Sequence, residues 1–127
     1  IYDDWMDKYA FIIEQGNALQ PIEDKYKTPE NIIKGCQSRV WLQTDYREGK
    51  LFFEAESDAI IVKGLLALVL RVFNGRTPDE IIGTDLRFMK EIGLTEHLSP
   101  TRSNGLLSVI KQIRYYAIAY KSKEDRN

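Results

Sequence analysis

Val40-Trp41-Leu42-Gln43-Thr44-Asp45-Tyr46 and Leu51-Phe52-Phe53-Glu54-Ala55-Glu56, joined by Arg47-Glu48-Gly49-Lys50 and followed by Ser57-Asp58 and the apolar run Ala59 to Phe73, decide the fold. The two short stretches are rich in aromatic, β-branched and aliphatic residues, and the polar residues between them read as a turn, so the pattern predicts a hairpin. The run that follows is the most apolar of the chain. It is shorter than the roughly 20 residues that a bilayer requires and it holds Lys63 and Arg71, so it reads as a core helix rather than a membrane span. Ser57-Asp58 supply an expected N-cap with a negative charge, and Asn74-Gly75 supply expected left-handed stop residues. A helix that is apolar nearly all round has to be covered on several sides.

Upstream, Trp5, Met6, Tyr9, Ile12, Ile13 and Gly16 recur at helical spacing after the possible caps Asp3 and Asp4, which predicts a first helix ending near Leu19, with Pro21 closing it. Ile32 to Lys34 fit either a short edge strand or the last turn of a helix begun at Thr28-Pro29. Downstream, Thr77-Pro78-Asp79-Glu80 is a capping-box pattern with proline at the first helical position and Gly83 as its stop. Asp85 to Ile92, with Gly93, repeats the logic. Leu106, Leu107, Val109, Ile110, Ile113, Tyr116, Ala117 and Tyr120 trace one apolar face of a closing helix from about Pro100 to Lys121, expected to pack across the sheet and the central helix.

The order helix, strands, several helices indicates an α+β fold with a small antiparallel sheet of two to three strands covered on one face. With 127 residues, 43% of them apolar, the chain suits one domain over residues 1–127. The charged stretch Lys121 to Asn127 is expected to be a disordered tail. Lys plus Arg number 18 and Asp plus Glu 19, so the net charge of −1 gives no field fit to hold a polyanion, and nucleic acid is not an expected ligand. No N-terminal segment has the order of a secretory signal, although the start at Ile1 leaves room for trimming.

Cys36 is the only cysteine. It cannot form an internal disulfide or a four-thiolate cluster site, so any chemistry it performs passes through a partner, and a lone thiol suits a reducing cytoplasmic setting. Free cysteines are often small core residues. Against that, Gly35 permits unusual backbone angles, Gln37 and Ser38 are polar, and Arg39 is a cation able to favour a thiolate. Local polarity alone leaves a buried and a reactive thiol both open.

Gly35-Cys36-Gln37-Ser38-Arg39-Val40-Trp41-Leu42, then Ser57-Asp58-Ala59 running into Ile61-Val62-Lys63-Gly64-Leu65, then Leu94-Thr95 with His97-Leu98-Ser99-Pro100-Thr101-Arg102 and Asn104-Gly105 resemble the SufE family of sulfur acceptors. Thr101 stands where many relatives have Ser. The resemblance implies a SufE/NifU-like α+β fold and a role in iron–sulfur cluster assembly. There the motif cysteine, here Cys36, takes persulfide sulfur from a SufS-type cysteine desulfurase, stimulates that enzyme, and delivers the sulfur to a SufBCD-type scaffold complex. It implies no resident cofactor beyond the transient cysteine persulfide, since pyridoxal phosphate belongs to the desulfurase, and no metal. Gly35, Gln37, Ser38, Arg39, Asp58, Lys63, Arg102 and Asn104 are then the candidate supporting or partner-binding residues.

Some have a structural alternative. Asp58 caps the central helix in the simplest reading, Lys63 brings its ammonium to the surface from an apolar helix, and Arg39 is a solvated charge at a strand edge. Arg102 and Asn104 begin the last helix, where a cation opposes the dipole unless a carboxylate or partner meets it. His97, the only histidine, would serve as base in a rival Cys36–His97 thiol hydrolase or acyl transferase. A third possibility is a non-covalent activator of the desulfurase. Glu54 and Glu56 share a strand face and read as solvated charges. No phosphate-cradling glycine loop, metal-ligand spacing or dinucleotide fingerprint occurs.

Overall fold

Val40–Arg47 forms β1 and Lys50–Ser57 forms β2, paired antiparallel from Val40↔Ser57 to Arg47↔Lys50. Glu48 and Gly49 turn the chain with φ of 53° and 78°. Two successive left-handed residues give the turn whose twist matches the strands it joins, and glycine at the second takes that angle without a Cβ penalty. Alternation then sorts the side chains. Val40, Leu42, Leu51, Phe53 and Ala55 are buried on one face, while Trp41, Gln43, Asp45, Phe52, Glu54 and Glu56 occupy the other. The computed structural model describes residues 5–34, 39–84 and 100–126.

The expected core helix, α2, spans Ile60–Phe73 and lays Leu65, Leu66, Val69, Leu70 and Phe73 into the interior. Each such side chain removed from water contributes about 1.5–3 kcal/mol, which makes this contact the main fastening of helix to hairpin. Its end differs from the expectation. Only Gly75 is left-handed, at φ 73°, whereas Asn74 has φ −65° and uses its Oδ1 to accept the Phe53 amide of β2. The chain then runs along β2, the Gly75 amide donating to Leu51 O at 2.9 Å and the Leu51 amide to Arg76 O at 2.8 Å. A strand edge left with open amides attracted the asparagine that a helix terminus alone would have turned left-handed.

Helix α1, Trp5–Asn17, crosses α2 at a pair of glycines. A Cβ on Gly16 would stand 2.8 Å from Gly64 N, and one on Gly64 would overlap the Ile12 carbonyl. Helical hydrogen bonding carries on to Leu19, as the sequence predicts. Pro29–Asn31 form a single 3-10 turn, after which Ile32 makes one isolated bridge to Trp41. Ile32 to Lys34 thus combine both readings, a turn's end and one rung of pairing. Among the described residues the sheet has two strands.

Helix α3, Pro78–Ile82, begins with the predicted capping box: Thr77 Oγ1 accepts the Glu80 amide at 3.2 Å and Glu80 Oε1 accepts the Thr77 amide at 3.1 Å. Asp85 to Ile92 and Gly93 lie outside the described residues. The closing helix, α4, spans Pro100–Arg126 and buries Leu106, Val109, Ile110, Ile113 and Ala117. It reaches the sheet, where Tyr120 stacks on Tyr46 with ring centroids 4.7 Å apart, and the Arg114 guanidinium donates to Ile82 O of α3 at 2.9 Å. The expected disordered tail is a correction: Lys121 to Arg126 continue the helix, with Lys121 Nζ 2.6 Å from Asp79 Oδ1 and Lys123 Nζ 5.5 Å from the Tyr120 ring centre. Partners on α3 and on its own preceding turn hold what looked like solvated charge. Among the described residues no helix is long and apolar enough to cross a membrane.

Candidate functional site

The described residues on either side of the single cysteine are tied down at two points. Before it, the Ile33 amide donates to Val40 O at 2.9 Å, next to the Ile32–Trp41 bridge. After it, the Arg39 amide donates to Asp58 Oδ1 at 3.2 Å. Since Val40 pairs with Ser57, both ties sit at one end of the hairpin, beside the start of α2. Gly35, Cys36, Gln37 and Ser38 themselves lie outside the described residues. The fold therefore fixes the residues on both sides of 35–38 at the end of the sheet nearest the α2 N-terminus.

Asp58 is a correction to the simplest reading. Helix α2 starts at Ile60 with Ala59 at the cap position and no side-chain cap. Ser57 turns its Oγ to the Ala59 amide at 3.2 Å, which leaves the Asp58 carboxylate to hold the Arg39 backbone. The local reason is geometric: pairing of Val40 with Ser57 sets the residue before one strand beside the residue after the other, and an amide there needs an acceptor. Asp58 thus bonds the backbone of Arg39, the first described residue after 35–38.

Lys63 stands one turn into α2, half-buried, its amide bonded to Ala59 O at 2.9 Å. Arg39 is exposed. Arg102 and Asn104 are on the first two turns of α4, their side chains outside the described residues, as is all of His97, so of the predicted set the structure brings together Arg39 and Asp58, with Lys63 one turn along α2. Among the described residues no group of three or more His, Cys, Asp or Glu could hold a metal ion.

Glu56, read as a solvated charge, is a correction. Its carboxylate accepts the Ile22 amide at 3.1 Å and meets Lys27 Nζ at 2.6 Å, and the hydrogen bond to Glu56 holds the Lys27 ammonium above its ordinary pKa. Lys27 also lies 5.6 Å from the Trp41 ring centre. This clamp fixes the connection from α1 against the outer sheet face, behind the Ile32–Trp41 bridge. Strand parity places Glu56 opposite Trp41; nothing in the sequence pairs it with residues more than two dozen positions earlier.

The chain matches the family model SufE, Fe–S metabolism associated domain, over residues 1–117. It belongs to the SufE family. Its fold is similar to that of a hypothetical protein from Thermus thermophilus known from a solution structure, at a TM-score of 0.74 and 19% identity, over 94% of this chain and 88% of that one. The Ile33–Val40 and Arg39–Asp58 hydrogen bonds lie together at the end of the hairpin beside the start of α2. Iron–sulfur metabolism is the setting that family membership gives.

Proposed function

We propose that this chain is a sulfur carrier of iron–sulfur cluster assembly, with Cys36 accepting sulfur from a SufS-type cysteine desulfurase and delivering it to a SufBCD-type scaffold. The observation that carries the reading is the tied segment: in a SufE-family chain, the only cysteine sits on a span whose feet are fixed by Ile33–Val40 and Arg39–Asp58 hydrogen bonds. The Cys36 thiolate attacks the outer sulfur of the partner's cysteine persulfide. One sulfur–sulfur bond forms as the other breaks, the partner's thiolate leaves, and no net oxidation occurs. Removing that sulfur frees the desulfurase for its next turnover, which is the stimulation expected.

A single thiol keeps its cargo, since no neighbouring cysteine can displace the persulfide as hydrogen sulfide. Arg39 favours the thiolate if its guanidinium turns toward the sulfur, and Asp58 acts as a positioning residue through the Arg39 backbone. Arg102 and Asn104 are assigned to partner binding, with Lys63 as a flanking cation. The reading sets the protein in the cytoplasm, where the thiol stays reduced. The test is intact-mass spectrometry after incubation with a cysteine desulfurase and cysteine. A reducible gain of about 32 Da on Cys36, absent from Cys36→Ser, is the result that thiolate exchange predicts. Stimulation of the desulfurase by Cys36→Ser, with no sulfur on the wild-type chain, would replace the carrier with a non-covalent activator.

A further inference from the structure

Ile32 and Ile60 are 40% and 64% exposed, two of four large apolar side chains open to solvent among the described residues. A lone exposed isoleucine requires no explanation. These two stand at the feet of the thiol segment: Ile32 directly precedes the residue bonded to Val40, and Ile60 follows Asp58, the residue bonded to Arg39, by two positions. The same feet carry Lys34 and Arg39, and Lys63 lies one turn beyond Ile60 on α2. Among the described residues none of these three cations has an ion pair. The carboxylates near them in the chain are engaged, Asp58 with the Arg39 amide and Glu30 with its own backbone and Thr28, which hold the Glu30 carboxyl below its ordinary pKa. In a chain whose 18 cations and 19 anions otherwise balance, this is a local surplus of positive charge around an apolar pair.

We propose that Ile32, Ile60, Lys34, Arg39 and Lys63 form a docking rim for a persulfide-bearing protein whose own thiol is ringed by acidic side chains beside an apolar recess. The inference rests on the reading of Cys36 as sulfur acceptor. Direct attack of one sulfur on another requires van der Waals contact, so the donor's surface has to descend on whatever surrounds the thiol segment. Cations of one sign there steer the approach of an acidic surface and set its register, while the isoleucines, once desolvated, set the residence time. The rim therefore selects the donor, and the thiol performs the chemistry.

The test compares two donors for transfer to Cys36, followed by intact mass at about 0.05 and about 0.5 M NaCl, a range over which exposed charge pairs become screened. One donor is a cysteine desulfurase carrying its persulfide and the other is glutathione persulfide, too small to engage the rim. The double variant Ile32→Ser/Ile60→Ser is expected to slow transfer from the desulfurase about tenfold or more, the loss typical of central apolar anchors. Lys34→Glu slows it at low salt, with the deficit fading at high salt, and glutathione persulfide loads all variants like wild type. Unchanged transfer from the desulfurase into the variants overturns the rim, and so does an equal loss with both donors, which assigns these residues to the thiol instead. Failure of the wild-type chain to load from either donor defeats the acceptor reading first, and the rim with it.

Discussion

An aspartate just ahead of a helix can turn to the helix amides or to a neighbouring chain, and Asp58 turns to the Arg39 amide 3.2 Å away. The consequence is measurable at one atom. Asp58→Ala removes the acceptor, a bond worth about 0.5–1.5 kcal/mol when partly solvated, so global stability falls by about 1 kcal/mol or less. The Arg39 amide should then exchange with solvent about tenfold faster, and the proposed sulfur transfer should slow because Arg39 is no longer held. Asp58→Asn retains an oxygen and should leave exchange near the wild-type rate; equal protection of Arg39 in all three proteins would remove Asp58 from the site. A second carboxylate carries a pH dependence. Glu80 is held below the ordinary glutamate pKa by the Thr77 amide first and the Thr77 hydroxyl second. A depressed folded-state pKa contributes stability above the unfolded value, lost as the pH falls through the folded one. The urea midpoint of wild type should accordingly exceed that of Glu80→Ala at neutral pH, and the gap should close on acidification below the ordinary glutamate value. A gap independent of pH would mean that helix propensity, not the capping carboxylate, separates the two proteins. At this scale the sequence offered Asp58 as a helix cap, whereas it bonds the Arg39 amide, and it missed Glu56, because a clamp between a strand and residues 22 and 27 depends on tertiary approach.

The crossing of α1 and α2 depends on Gly16 and Gly64, where backbones meet with no room for a side chain. Gly64→Ala forces its Cβ against the Ile12 carbonyl, and since backbone cannot swing aside as a side-chain tip can, the helices have to separate. A loss of about 2–4 kcal/mol is expected by urea denaturation. Gly49→Ala is the contrast: nothing lies within 4 Å of its added Cβ, and the φ of 78° alone costs about 1 kcal/mol. Equal losses would show that the helix pair yields more readily than its geometry implies. Elements whose ends carry local chemistry were legible in advance, notably the hairpin turn at Glu48-Gly49, the α3 capping box and the apolar face of α4. Ends decided by a distant partner were not. Asn74 serves the Phe53 amide rather than a left-handed cap, and Lys121 to Arg126 stay helical beside Asp79, because both partners are remote in the chain. The glycine crossing was visible only as helical spacing, since a close approach has no signature until both helices are placed.

Across the molecule one buried cluster links Ile12 of α1, Val40 and Leu42 of β1, Phe53 of β2, α2, Ile81 of α3 and Leu106 to Ala117 of α4. The closing helix joins this cluster from the far end of the described chain: α4 closes on α3 and, through Tyr120, on the hairpin. That shared core predicts that the described elements unfold as a single cooperative unit. The two tryptophans, Trp5 in α1 and Trp41 in β1, report on separate regions. Urea transitions followed by far-ultraviolet circular dichroism, by wild-type fluorescence and by Trp41→Phe fluorescence, which isolates Trp5, should coincide in midpoint and be unaffected in number by Tyr120→Ala. That substitution, which removes the stack on Tyr46, should instead shift all three midpoints together by about 1–3 kcal/mol of stability. An early Trp5 transition would mean that α1 detaches before the remainder, so the glycine crossing closes the fold without governing it. The distinction bears on the proposed sulfur transfer, because the Glu56 clamp and the Ile33–Val40 tie follow α1 in the chain and would loosen with it.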